Sequence, residues 1–388
     1  MHRDYDILIV GAGVAGCAAA IALKNCLPEY SVCIVDRAPD DIADQTGGRA
    51  SLEQTIGETL PAQVVIPMQQ LGIWEEFLSL QALPCSGTRA WWGSELPNEN
   101  ESIYSAYGNG WHIDRNKFNR CLLTHALGSG VELLHNTELL EVRASSKNKS
   151  QLPIWKLSLA NADRSPFKHA LTDGSMTARF IIDATGRSAN LARKLGAKKQ
   201  HLDKLVGIYQ YFQASEIIDS STVIEAVEYG WWYSAALPSG QRVVTLMTDA
   251  DVARQNRYRT ADKFRQALFE TQNLSECLRG HQIASQPIVT AANTQRLDTL
   301  AGTAWLATGD AAFTFDPLSS LGLFKALRMA VIASYAVTDY FSGKDPELTK
   351  FQCFANAEFA SYLDKKREYY SQQSRFKQQL FWQRRRAA

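Results

Sequence analysis

The chain has 388 residues, is 45% hydrophobic and 21% charged, and carries a formal net charge of +1. That length suggests two or three domains with ample core, and the near-neutral balance gives no global field that would draw nucleic acid or an acidic partner. Seven scattered cysteines (17, 26, 33, 85, 121, 277 and 353) form no C-x-x-C pair, so zinc and redox-motif readings fall away and reduced, inert thiols with no metal site are expected.

Met1 to Asp6 is short and polar, so no signal peptide is expected. No apolar run is long enough to span a bilayer, and a cytoplasmic protein is expected. Residues 6–10 are a nearly continuous apolar run, as in a parallel strand covered on both faces. Residues 14–27 read as an Ala-rich helix ended by Pro28, and residues 31–35 as a second buried strand followed by Asp36. Together these predict a βαβ unit. A loop over 45–61 precedes helices over 64–71 and 73–80. Residues 84–110 are turn-rich, 117–127 helical, and 131–134, 154–159 and 179–183 extended. Alternation over 205–249 predicts an antiparallel sheet with one solvated or ligand-facing side. Residues 303–308 lead as a strand into Gly309-Asp310, 322–341 form a long apolar helix, and about 350–385 is helical.

The parallel strands come from scattered segments and the alternating strands lie between them. The expected fold is therefore α/β: a Rossmann-like, discontinuous nucleotide domain (1–80, 112–198 and 288–345), an inserted antiparallel-sheet substrate domain (81–111 and 199–287) and a C-terminal helical segment (346–388).

Two segments carry the chemistry. In Gly11-Ala-Gly13-Val-Ala-Gly16, Gly11 permits a tight turn, Gly13 admits a pyrophosphate, and Gly16 allows close helix–strand packing. The helix N-terminus aims N–H groups and a positive dipole end at the phosphates, and Asp36 can bind ribose hydroxyls. The second segment runs from Gly309-Asp310 through Pro317, Ser320 and Gly322. A carboxylate just after a strand can accept a sugar hydroxyl, and the helix entered at Gly322 can stabilise negative charge at its N-terminus.

A glycine fingerprint near residue 10 with Gly-Asp-Ala-Ala near residue 310 resembles the glutathione-reductase-type FAD fold of aromatic hydroxylases and flavin-dependent halogenases. Asp316-Pro-Leu-Ser-Ser-x-Gly322, Asp183-Ala-Thr-Gly186-Arg187, Gly57-Glu58-Thr-Leu-Pro61 and His112-Ile-Asp-Arg115 are similar to the halogenase branch. The resemblance implies FAD as cofactor, Asp310 on its ribityl chain, Pro317 to Gly322 beside the isoalloxazine, and Arg49 and Arg115 among the cofactor contacts. Arg115 reads equally as a surface arginine at a helix start. The chain departs from the halogenases in two ways. Gly230-Trp231-Trp232-Tyr233-Ser-Ala-Ala236-Leu-Pro238 only half fits their W-x-W-x-I-P motif, and Cys85 stands where they need a lysine. A thiol would be oxidised by hypohalous acid.

The same Gly-Trp-Trp-Tyr segment and the C-terminal aromatic–arginine run also resemble flavoproteins that mature tryptophylquinone cofactors. That implies an FAD-dependent monooxygenase hydroxylating an indole, with a precursor polypeptide as partner. Trp91, Trp92, Trp231, Trp232 and Tyr233 are the substrate-wall candidates, although aromatics at such positions also pack cores. Tyr369, Tyr370, Phe376, Phe381 and Trp382 read as anchors for a partner, and Arg384-Arg385-Arg386 as a solvated helix end. Glu58 and Glu228 are the candidate bases. No second dinucleotide fingerprint occurs, so the electron donor is left open. A small-molecule aromatic hydroxylase, a halogenase and a non-catalytic FAD-containing chaperone of a precursor are the alternatives.

Overall fold

The computed structural model describes residues 3–38, 58–101, 106–145, 153–161, 174–213 and 219–386. Arg49 lies outside them. The fold is mixed α/β and is built on two eight-stranded sheets.

The first sheet has a parallel centre. Its strands Glu132–Leu134, Val32–Val35, Arg3–Val10, Gly174–Asp183 and Trp305–Ala307 lie side by side in that order. Ile7, Leu8, Ile9, Cys33, Ile34, Phe180, Ile181 and Ile182 have no exposed surface, which explains their unbroken apolar sequence. The helices Val14–Cys26 and Gly322–Phe341 pack together in the same core. Thr137–Ser145 and Ile154–Asn161 extend the sheet as antiparallel strands beside Gly174–Asp183.

The register sets the site. Val10 is level with both Val35 and Asp183, and Asp183 with Ala307. Gly11, Asp36, Ala184 and Thr308 therefore leave the sheet together at its carboxyl edge, where ligands of open α/β sheets bind.

The second sheet is an antiparallel meander of Leu205–Gln213, Thr222–Val227, Gly230–Ala236 and Gln241–Asp249. Gly87–Trp91 joins parallel to Thr222–Val227, with Asn98–Glu101 outside it. Ile288–Ala291 also pairs with Leu205–Gln213, so the sheet runs past the expected boundary at 287. Alternation divides its side chains. Trp232, Ile208, Phe212, Val244 and Leu246 pack under the helices Ala250–Gln255, Ala261–Phe269 and Leu274–Cys277, which the sequence reading did not anticipate. Trp231, Tyr233, Tyr209 and Tyr211 take the opposite face.

The C-terminal segment is two helices, Thr349–Gln372 and Leu380–Arg386. The chain leaves helical geometry at Gln373, whose backbone is extended (φ −75°, ψ 102°). This break lets Leu380–Arg386 fold back onto the second sheet, where the Trp382 indole N–H donates to the Val227 carbonyl at 2.8 Å.

Candidate functional site

At the carboxyl edge of the parallel strands, Gly11 has φ +111°, and a Cβ there would stand 2.4 Å from the Ala184 carbonyl oxygen. Only glycine meets both conditions. A Cβ on Gly16 would fall 1.8 Å from the Gly11 oxygen, so this glycine is required for the helix to approach the turn. Gly13 and Gly322 differ: a Cβ on either meets no protein atom within 4 Å. Neither is needed for packing, and both face the space where the glycine turn and the Pro317–Gly322 segment could hold a cofactor. Asp36 stands at the rim of the turn, its two carboxylate oxygens accepting the N–H groups of Ala12 and Ala38.

Asp183 has a different part. It is fully buried, and its oxygens accept from the Thr185 and Ala192 N–H groups and the Thr185 hydroxyl at 2.7 to 2.9 Å. Burial raises its pKa against those hydrogen bonds. It shapes the Ala184–Gly186 loop beside Gly11.

Asp310 follows the outermost parallel strand, Trp305–Ala307, by three residues and keeps 40% of its side chain exposed. Lys325, 1% exposed, donates to its Oδ1 at 2.6 Å. Arg187 and Arg115 are also close enough to feel the Asp310 charge. Burial lowers the pKa of both arginines, and nearby carboxylates, Asp310 for each and Glu58 for Arg115, pull back. Arg115 begins the helix Arg115–Gly128, whose N-cap Asp114 accepts from the N–H groups of Asn116 and Lys117.

Arg115 feels the charge of Glu58 as well as that of Asp310, and Glu58 is 5% exposed. Glu58 Oε1 accepts the Tyr211 hydroxyl at 3.3 Å. The Tyr233 hydroxyl pairs with Thr59 Oγ1 at 2.5 Å. Burial, and next the Glu58 carboxylate, raises the pKa of both phenols, which therefore stay protonated. Glu58, Arg115, Tyr211 and Leu237 line a cleft of about 100 Å³. Larger hollows lie elsewhere, one of about 400 Å³ by Arg89 and Asp219 and one of about 690 Å³ by Phe269 and Arg279. Neither touches the glycine turn, so size is no guide to the chemistry here.

The five expected substrate-wall aromatics do not form one wall. Trp91 and Trp232 belong to the core under the added helices, with Trp232 edge-on to Phe264 at 5.1 Å. Trp92 and Trp231 pack instead with Tyr370, Phe376, Phe381 and Trp382, four of the five residues expected to anchor a partner, while Tyr369 stays exposed. The two sets satisfy each other. The physical reason is strand alternation, which sends neighbouring tryptophans to opposite faces, together with the helix break at Gln373. Of the five, Tyr233 alone reaches the Glu58 cluster. Arg384 and Arg385 are not a solvated end either: both pair with buried Asp249 at 2.8 Å. Glu228 lies exposed at a hairpin tip beside Gln379, away from Glu58.

Tyr209, Tyr211, Lys325 and Asp316 were not singled out as site residues by sequence reasoning, save Asp316 as part of a motif. Asp316 is buried and accepts the Tyr370 hydroxyl at 2.9 Å, while its own N–H donates to the Tyr362 hydroxyl at 2.7 Å. The Trp231 N–H donates in turn to Tyr370 at 3.1 Å. Ser320, at φ +50°, then turns the chain into the long helix. The Pro317–Gly322 segment is thus held from behind by the C-terminal helix. Among the described residues no group of His, Cys, Asp and Glu could hold a metal ion, and no helix is long and apolar enough to cross a membrane.

A family model for the FAD binding domain matches residues 4–343. A putative FAD-dependent oxidoreductase, LodB of Marinomonas mediterranea, is 27% identical over 387 residues, covering 99% of this chain and 98% of that protein. Among solved structures, the myxobacterial chondrochloren halogenase CndH superposes with a TM-score of 0.83 at 18% identity, over 99% of this chain and 86% of its own. QhpG, a peptidyl tryptophan dihydroxylase essential for tryptophylquinone cofactor biogenesis, has a TM-score of 0.68 at 20% identity, covering 99% of this chain and 79% of its own. The carboxyl-edge turn, the Gly13 opening and the half-exposed Asp310 fit that cofactor, and we conclude that the chain is a flavin-dependent oxidoreductase that uses FAD and belongs to the FAD binding domain family.

Proposed function

We propose that the protein is an FAD-dependent monooxygenase that hydroxylates the indole ring of a tryptophan held in another polypeptide, as part of tryptophylquinone cofactor maturation. The observation that carries the reading is the end-to-end similarity to LodB, joined to a fold shared with the peptidyl tryptophan dihydroxylase QhpG.

In this reading Gly11, Gly13, Gly16 and Asp36 hold the nucleotide half of FAD, and Asp310 and Arg115 its sugar chain. Pro317, Ser320 and Gly322 lie along the flavin ring. Bound FAD, once reduced and exposed to O₂, supplies an electrophilic oxygen atom. The chain's part is to orient the ring, exclude water and take up a proton. Tyr209, Tyr211 and Tyr233 give the sheet face above Glu58 an apolar body with hydroxyl tips. When oxygen bonds to the ring carbon, that carbon's proton must leave, and Glu58 is the acceptor. The hydrogen bond from Tyr211 to Oε1 orients the carboxylate.

A halogenase is the second reading, favoured by the likeness to CndH. Against it stands Cys85, buried in the sheet with its thiol 3.2 Å from the Gly87 carbonyl oxygen, at the position where the resemblance requires a lysine.

The test supplies reduced protein and O₂ with free tryptophan and, separately, with the precursor chain of a tryptophylquinone enzyme. A gain of oxygen mass on the precursor's tryptophan alone is expected. Efficient turnover of free tryptophan would refute the protein-substrate reading.

A further inference from the structure

Lys325 sits on the buried side of the helix Gly322–Phe341, between Leu323 and Leu327 in an otherwise apolar stripe. A lysine there is costly, and an apolar residue of similar volume would commonly be neutral or stabilising. Its ammonium is fully engaged. It donates to Asp310 Oδ1 at 2.6 Å and to the Phe313 carbonyl, and lies 5.2 Å and 5.0 Å from the ring centroids of Phe313 and Phe315. No water is needed to complete this shell.

The pair is lopsided. Lys325 is 1% exposed while Asp310 is 40% exposed. The carboxylate at the carboxyl edge of the parallel sheet is therefore tied down through Oδ1 while part of the side chain stays open to solvent. A carboxylate so held can receive a hydroxyl arriving from outside, and the rotamer entropy of Asp310 is spent before the ligand binds. Such a position gains nothing from a stabilising role, since Asp310 could be solvated without a partner.

We propose that Lys325 is a positioning residue for FAD: it fixes Asp310 in the orientation that receives a sugar hydroxyl of the cofactor. The inference rests on FAD as the cofactor and is independent of which substrate is hydroxylated. Beside Lys325, two further cations, Arg187 and Arg115, lie close enough to feel this one carboxylate.

The experiment is a double-mutant cycle read as the dissociation constant of FAD, with the melting temperature of each apoprotein measured in parallel. Lys325→Met removes the ammonium but leaves no buried charge, because Asp310 keeps its access to water. The apoprotein should melt near the wild-type temperature while FAD binds at least tenfold more weakly. Lys325→Gln, which retains an N–H donor for Asp310, should fall between the two and serves if the methionine variant does not fold. In an Asp310→Ala background, Lys325→Met should change FAD affinity by less than twofold. Unchanged FAD affinity in both Lys325 variants would overturn the proposal. So would a tenfold loss that persists without Asp310, since Lys325 would then act on its own. A wild-type protein that fails to bind FAD would instead refute the cofactor assignment.

Discussion

Gly13 and Gly16 lie in the same fingerprint, yet substitution at Gly13 should chiefly weaken binding and substitution at Gly16 chiefly lower stability. Gly13 has φ −71° and ψ −176°, a conformation open to any residue, and a Cβ there meets no protein atom within 4 Å. Gly13→Val therefore adds no strain. Replacing glycine where the backbone already suits a side chain gains about 0.4–1 kcal/mol through the unfolded chain, and losing a glycine N-cap costs a similar amount. The apoprotein should stay within about 1 kcal/mol of wild type. FAD should bind more than a hundredfold more weakly, about 2.7 kcal/mol, because the valine side chain fills the approach to the helix N-terminus. Gly16→Ala is the converse. Its Cβ would fall 1.8 Å from the Gly11 oxygen, inside any contact distance, so helix and turn must separate and the apoprotein should lose at least about 3 kcal/mol. Denaturant unfolding of both apoproteins, with FAD titration by fluorescence, gives the four numbers. A Gly13→Val protein that binds FAD as wild type does would refute the placement of the cofactor.

Three further outcomes are expected. Trp382→Ala should cost about 3–5 kcal/mol by denaturant unfolding, because the indole is 1% exposed within an aromatic cluster; a loss below about 1 kcal/mol would show that the C-terminal helix is not docked. His112 is buried, and burial followed by the Arg242 charge pushes its pKa down to about 4 from 6.5. A depressed imidazole pKa means that only the unfolded chain takes up a proton between those values, so stability is lost as the pH is lowered. The loss from this group between pH 7 and pH 5 is about 2 kcal/mol, and His112→Gln should lack that component in pH-dependent denaturant unfolding. With reduced FAD, O₂ and chloride or bromide, free tryptophan should yield no halogenated indole by mass spectrometry; a chlorinated product would restore the halogenase reading despite Cys85.

Features written in contiguous residues were legible. The apolar run before Gly11 and the glycine spacing give the first βαβ unit, and the helix over 322–341 appears as Gly322–Phe341. What was hidden depends on contacts between distant segments. Nothing local distinguishes a tryptophan that meets a substrate from one that meets the chain's own C-terminus, so Trp231 and Trp382 each looked available. Strand alternation did hold a usable signal, since 231 and 233 share a parity and 232 does not. The same parity over 205–213 would have placed Tyr209 and Tyr211 together. Lys325 was invisible for the opposite reason: a lone lysine in an apolar helix looks like an interruption until its partner fifteen residues earlier is seen.

The docking of the C-terminal helices also orders events during synthesis. Trp382 closes over Val227 across a separation of 155 residues, and Arg384 and Arg385 reach Asp249 across 135 and 136. Trp92, Trp231 and Val227, which this segment covers, are made long before it. Chains emerge and fold from the N-terminal side, and uncovered apolar surface on an unfinished chain invites aggregation. A ribosome that has passed Asp249 but not Trp382 therefore carries a sheet whose tryptophans still face water. A nonsense mutation between Gln373 and Trp382 would leave the glycine turn, Asp310 and the helix Thr349–Gln372 in place and yet uncover Trp92 and Trp231, so its effect should appear first as lost soluble yield, before any deficit in flavin chemistry.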